Sequence, residues 1–233
     1  MPWPVLLTTA ALLAAALGVE IAKGAPNISA LIWRPAIRRF RRIDAASDWP
    51  GGAVLLYGSS TFAWWDGAAA DLAPWPVVNR GFGGARTLDL LRYAGDVLAG
   101  GTPRAVVLFV ANDVTGSLWD VSPRRAAEQF EALLHRIRGR YGEVPVVWLE
   151  VNPTPRRWGV WPHIRDLNAA FREVCGRFGG VHADAAWGGL MIGGEPDPRY
   201  FRADRLHLNA DGYRVFAAGL RDALRRHVGQ PAG

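Results

Sequence analysis

From residue 53 onward, short apolar runs alternate with longer stretches in which apolar residues recur every three or four positions. Ala53–Tyr57, Pro76–Val78, Ala105–Val110, Val144–Val151 and Val181–Ala183 are too short for helices and rich in β-branched residues, so they read as strands. Thr87–Leu98, Ser122–Tyr141, Pro162–Phe178 and Ala210–His227 carry the helical period. Ser122-Pro123 supplies a capping hydroxyl followed by a proline preset for the first turn, and Asn209 or Asp211 can cap the last helix. Strands that alternate with helices predict an α/β fold built on a parallel sheet covered on both faces. Ligands of such sheets bind beyond the carboxyl ends of the strands, so the loops after each strand are where chemistry is sought.

Upstream the pattern changes. The first charged residue is Glu20, and Val5–Val19 is almost wholly Leu, Ala, Val and Thr. That run is shorter than the roughly 20 residues that span a bilayer. Residues 1–22 are expected to be an uncleaved membrane anchor, with a cleaved signal peptide as the second choice, which makes the chain membrane-associated or envelope-bound on a side left open. Residues 23–52 read as a basic linker with one amphipathic piece, Pro35–Ile43, closed by Asp48-Trp49-Pro50-Gly51-Gly52. Residues 53–228 are the folded domain, long enough for one sizeable core.

Composition adds little except in its basic residues. Half of the 233 residues are apolar and about a fifth are charged. The net charge of +6 comes almost entirely from arginine, Lys23 being the one lysine. The only dense basic patch is Arg34, Arg38, Arg39, Arg41 and Arg42, read as a solvated or membrane-proximal face, and no nucleic-acid partner is expected. Cys175, the sole cysteine, falls on the apolar face of a helix and reads as a buried thiol. His163 and His182 have no metal-ligand spacing with cysteine or acid, so neither a metal nor another cofactor is expected.

Four short segments carry candidate chemistry. Tyr57-Gly58-Ser59-Ser60 ends the first strand, where Gly58 allows a tight turn and Ser60 opens the next element. Taken alone, Ser60 is a helix cap more readily than a nucleophile. Asn79-Arg80-Gly81-Phe82-Gly83-Gly84 reads as a glycine-rich loop; Arg86 breaks the spacing of a dinucleotide fingerprint, leaving close backbone approach as the use of the glycines. Asn112 follows the third strand and is either an Asx-turn or an amide donor to a substrate oxygen. Asp204 precedes His207 by three residues in a loop, so its carboxylate can accept from Nδ1 and leave Nε2 free to take a proton from a hydroxyl.

Together, in this order and each at a strand end, these segments resemble the SGNH/GDSL hydrolase superfamily, especially its bacterial lipase-like and acylhydrolase-like members. Gly58-Ser59-Ser60 matches the first block, Asn79–Gly84 the second, Asn112-Asp113 the third and Asp204-x-x-His207 the fifth, over about Ala53–Leu224. The resemblance implies a three-layer α/β/α flavodoxin-like fold with a five-stranded parallel sheet. It also implies hydrolysis of esters through an acyl-enzyme. Carried over, it makes Ser60 the nucleophile, His207 the general base and Asp204 its orienting acid. The Ser60 amide, Gly84 and the Asn112 side chain would hold the oxyanion. Ser59 replaces the family's aspartate, and Val110 stands where the third block usually has glycine.

Trp64, Trp65, Trp119, Trp158 and Trp161 lie in the loops of the expected active edge. They either pack helices on the sheet or wall a site for a sugar ring or acyl chain. Small esters, lipids and acylated glycans are the substrate classes left open. A catalytically silent, membrane-tethered binding domain of the same fold is the rival, although it has no need for Ser60, Asn112, Asp204 and His207 together.

Overall fold

The computed structural model describes residues 26–230. In chain order the elements are α1 (Pro26–Ala46), β1 (Val54–Gly58), α2 (Ser60–Ala63), α3 (Ala68–Asp71), β2 (Val77–Gly81), α4 (Thr87–Val97), β3 (Ala105–Phe109), α5 (Pro123–Tyr141), β4 (Val146–Leu149), α6 (Trp161–Arg177), β5 (Val181–Asp184), β6 (Met191–Ile192), β7 (Glu195–Pro196) and α7 (Ala210–His227). β1 to β5 form one sheet in the order β2-β1-β3-β4-β5, every pair parallel, while β6 and β7 make a small antiparallel ribbon.

Alternation along each strand builds two cores. Leu55, Tyr57, Val106, Leu108 and Trp148 point to the face covered by α1, α4, α5 and α6, where Phe130 and Phe171 stack with centroids 4.3 Å apart. Val54, Leu56, Val107, Phe109, Val147 and Leu149 point to the other, under α2, α3 and α7. Because both faces are buried, the central strands read as unbroken apolar runs, as expected of a parallel sheet. This is the three-layer α/β/α arrangement the sequence predicts. The caps also match: Ser122 Oγ accepts from the Arg125 amide at 3.3 Å, and Asn209 Oδ1 accepts from the Gly212 amide at 2.9 Å. Cys175 is buried, and burial pushes its thiol up to about 12, leaving it without thiolate character at neutral pH.

Two expectations change. The segment assigned to a basic linker contains a 21-residue helix, α1, rather than one piece beginning at Pro35. Proline reads as a helix start, and here the helix runs through it. Trp33, Ile37, Phe40 and Asp44 share one side of α1, and Ile37 and Phe40 join the core beside α4. Second, β2 extends through Asn79, Arg80 and Gly81, which the sequence assigns to a loop. Arg80 disguises the strand: its guanidinium is buried, pairs with Asp44 and lies over the Phe40 and Trp49 rings at 5.1 and 5.6 Å. The sequence places a helix start at Ser60 and α2 begins there, whereas α3 has too few residues to show a period.

The apolar segment over residues 1–22 lies outside the described residues. Among the described residues no helix is long and apolar enough to cross a membrane, and no group of acidic, histidine or cysteine side chains could hold a metal ion.

Candidate active site

β1 ends at Gly58, where any side chain would collide with the Phe109 carbonyl: a Cβ would lie 2.1 Å from its oxygen. The chain therefore turns tightly against β3, and Ser60 becomes the first residue of α2. Its hydroxyl faces the loop between β7 and α7. There Ser60 Oγ lies 3.0 Å from His207 Nε2, and His207 Nδ1 lies 2.7 Å from Asp204 Oδ2. Residues 147 positions apart in sequence are thus joined in one hydrogen-bonded line.

Local structure holds that line in place. Asp204 Oδ1 accepts from the amides of Leu206 at 2.9 Å and His207 at 3.0 Å. Arg205 between them takes φ of 60°, the one left-handed non-glycine among the described residues, which lets the chain fold back around the carboxylate. Burial pushes the Asp204 carboxyl up, but the hydrogen bonds from the His207 ring and from the two amides outweigh it and hold it at about 2. Phe201 and Leu208 form a bridge across the base of the loop, and the Arg202 amide donates to the His207 carbonyl at 2.7 Å. Tyr213 on α7 donates its hydroxyl to the Thr61 carbonyl at 3.0 Å, tying the helix that follows the histidine's loop to the serine's helix.

The other expected residues gather on the same edge. Ser60, Gly84, Asn112, Asp204 and His207 all line one open cavity of about 970 Å³. Gly84 has φ of 76°, so a side chain there would be strained. Among the described residues the amides of Ser60 and Gly84 have no acceptor and remain available to a ligand. Asn112 Nδ2 donates to the Ala85 carbonyl at 2.9 Å, which spends one of its two hydrogens.

The model of the GDSL-like lipase/acylhydrolase family matches residues 47–215. The chain belongs to that family. Solved structures with the same fold include a proposed platelet activating factor from Streptococcus pneumonia, with TM-score 0.74 and 20% identity over 90% of this chain and 99% of that one. A GDSL-like lipase from Bacteroides thetaiotaomicron superposes with TM-score 0.68 at 19% identity, covering 82% and 97% of the two chains. A lipase/acylhydrolase from Enterococcus faecalis gives 0.62 at 22% identity, covering 78% and 98%. No curated protein matches the chain. Membership in the GDSL-like family makes the protein a hydrolase of ester or acyl substrates.

Against the GDSL-like pattern, the two departures are accommodated. Ser59, in place of the aspartate, is buried at the N-cap of α2 with its Oγ unpartnered, one position from Ser60. Val110 is fully buried at the end of β3 and still leaves Asn112 lining the cavity.

Several residues that shape the site carried no signal in the sequence. Arg157 donates to the Ala111 carbonyl at 2.5 Å and to Asn112 Oδ1 at 2.9 Å, fixing which way the Asn112 amide points. Burial lowers this guanidinium to about 10, so it stays charged at neutral pH. It sits in a short 3-10 helix, Pro155–Val160, 45 residues from its partner, and only the fold brings the two together. In the sequence Trp64 is only one of five tryptophans on the expected active edge; its ring lies 3.8 Å from that of His207, centroid to centroid, with Arg202 over it at 5.3 Å. Trp65 next to it is buried on Tyr213 and Phe216, a packing role. Trp158 stacks on Trp161 with centroids 6.3 Å apart. Away from the site, His227 stacks on His182 at 4.3 Å and faces Asp184 at 3.2 Å.

Asp113 holds the second and third blocks together. It is fully buried and accepts from the Thr87 hydroxyl at 2.7 Å and the Thr87 amide at 3.2 Å, fixing the start of α4 behind Gly84–Arg86. Burial drives its carboxyl up; the Thr87 hydrogen bonds oppose this only in part, and it reaches about 6 from an ordinary 3.8. Because the raised value means the folded protein binds this proton more tightly, the contribution to stability is greatest below the unfolded value. It declines as pH rises from about 4 to about 6 and is flat above. The span corresponds to something on the order of 2–3 kcal/mol. Asp113→Asn cannot titrate. In urea melts over this range, the stability of the variant minus that of wild type is expected to rise with pH; a difference that stays level would show that Asp113 is not raised.

Proposed function

We propose that the protein is a serine esterase working through an acyl-enzyme. The observation that carries the reading is the continuous line Ser60 Oγ, His207 Nε2, His207 Nδ1, Asp204 Oδ2, with spacings of 3.0 and 2.7 Å on either side of the ring. Asp204 accepts a hydrogen bond from Nδ1–H, which stays on the ring, and so keeps Nε2 as the basic nitrogen. His207 takes the Ser60 proton as Oγ attacks the ester carbonyl. The charge that develops on the carbonyl oxygen is met by the Ser60 amide, the Gly84 amide and the remaining N–H of Asn112. One such donor is worth roughly 10²–10³ in rate. His207 then protonates the departing alcohol, and water repeats the sequence to release the acid.

Helix α2 is too short for its dipole to matter, so the contribution of its first turn is the single free amide of Ser60. Arg157 acts through Asn112 and is a positioning residue. Trp64 covers one side of the His207 ring, leaving that side chain 13% exposed, which limits its rotation out of line.

A fluorophosphonate probe tests the reading. Covalent labelling that maps to Ser60 by peptide mass spectrometry is expected, together with loss of turnover on short para-nitrophenyl esters in the same proportion. A protein that hydrolyses esters without label at Ser60 would move the nucleophile elsewhere. A protein that does neither would be the silent binding domain.

A further inference from the structure

The charges around the cavity are not balanced. Its lining includes three arginines, Arg86, Arg156 and Arg157, but only one acidic residue, Asp204. That carboxylate is engaged by the His207 ring and two amides. Arg157 is spent on the Ala111 carbonyl and Asn112. Arg86 gives one nitrogen to the Trp119 carbonyl at 3.0 Å and keeps the rest of its donors. Arg156 is exposed at the mouth and, among the described residues, its side chain has no hydrogen-bond or ion-pair partner. The nearby Asp120 points its carboxylate at the amides of Thr115 and Gly116 in its own loop.

An arginine-rich chain will place some arginines anywhere, so position decides. Some exposed arginines elsewhere meet acids, such as Arg41 with Asp96 and Arg177 with Glu131, while others, such as Arg38, Arg136 and Arg165, stand in solvent with no partner among the described residues. Arg86 and Arg156 differ from these in lining the cavity that holds Ser60 and His207. They also come from opposite sides of the nucleophile. Arg86 follows β2 and Arg156 follows β4, whereas Ser60 and Asn112 follow β1 and β3 between them. Guanidinium forks with unspent donors match carboxylate and phosphate oxygens in geometry and charge, and a cavity in which one sign of charge is in excess concentrates ligands of the other.

We propose that this site selects esters that carry a negatively charged group, carboxylate or phosphate, close to the scissile bond, with Arg86 and Arg156 as the residues that bind it. The inference rests on the serine-esterase reading for the position of the ester, and on the two arginines for the charge.

The test uses two matched pairs of substrates. The para-nitrophenyl monoester of adipate and its neutral methyl ester place the charge on the acyl side. Acetylated glycerol phosphate and monoacetin place it on the alcohol side. Wild type is expected to prefer the anionic member of at least one pair by roughly tenfold in kcat/KM, mostly through KM, the scale of one charge-assisted hydrogen bond. The pair that shows the preference identifies the side. Combining Arg86→Ala with Arg156→Ala is expected to bring that ratio close to one, and added salt to reduce it in wild type. Arg156→Gln alone, a surface change that removes no contact within the described residues, is expected to lower the ratio part of the way even if the double variant folds poorly. Calorimetric binding of the adipate esters and of the glycerol pair to Ser60→Ala provides a readout that needs no turnover. Ratios near one for both pairs in turnover and binding overturn the proposal, as does a preference that persists without both arginines. Selective binding of anionic esters with no Ser60-dependent turnover would uphold the charge selection and remove the esterase mechanism. Ser60-dependent turnover without charge preference would do the reverse.

Discussion

Ser60→Ala is expected to lower kcat on an activated short-chain ester by roughly 10⁴-fold or more. The size follows from the chemistry. Alanine leaves His207 with no hydroxyl to activate, so the acyl-enzyme cannot form and only the oxyanion donors and substrate binding remain to assist water. The fold is not at risk, because the Ser60 hydroxyl has His207 as its one hydrogen-bond partner among the described residues and the amide of residue 60 is unchanged. Far-ultraviolet dichroism and the melting temperature are expected to match wild type. His207→Ala should cost about as much, and the two changes together little more than either, because a nucleophile without its base and a base without its nucleophile fail in the same way. Residual turnover within tenfold of wild type in purified Ser60→Ala, or losses that multiply in the double variant, would show that the two residues do not act as one unit.

The second large effect is expected from Asp204→Asn, a loss of roughly 10³–10⁴-fold in kcat with little change in KM. Asparagine keeps an oxygen for the amides of Leu206 and His207, so the turn around Arg205 survives. What changes is the partner of Nδ1. An amide nitrogen facing the ring donates to Nδ1, which forces the proton onto Nε2 and turns the base toward Ser60 into a donor. The wild-type carboxylate does the opposite over a wide range of pH. With its value held at about 2, below the ordinary carboxylate range, its support of the pair is complete above about pH 4 and is lost only as pH falls through about 2. The acid limb of a wild-type pH–rate profile in the range from 4 to 8 is therefore expected to follow a single ionisation, not one shared with Asp204. Measurement of kcat and KM for Asp204→Asn from pH 5 to pH 9 checks this. A variant that regains wild-type kcat at high pH would mean the carboxylate supplies charge and not the tautomer.

Local order carried much of the information. The central strands are legible because a strand buried on both faces must be apolar at every position, and α4 to α7 because their apolar stripes have the helical period. Ser122 and Asn209 mark helix starts through hydrogen bonds that span only three residues. Asp204 and His207 are likewise close enough in sequence for their pairing to be inferred from spacing. Failures occur where the deciding interaction is distant. Arg80 is a strand residue because Asp44, 36 positions away, neutralises it in a buried place, and nothing near Arg80 announces that partner. The same contact explains why α1 belongs with the core and not with a linker.

Sequence by itself determined the class of fold, the order of the five sheet strands and of α4 to α7, and the four segments that hold Ser60, Gly84, Asn112, Asp204 and His207, because strand burial, helical period and turn chemistry act over a few residues. Tertiary structure alone decided that Ser60 and His207 meet, that Arg157 turns the Asn112 amide, that Trp64 rather than Trp65 lies on the histidine, and that Arg86 and Arg156 line the same cavity. Each of those depends on loops from different strands converging at one sheet edge. Such convergence is set by strand order and helix packing over the whole domain, and no short stretch of chain encodes it.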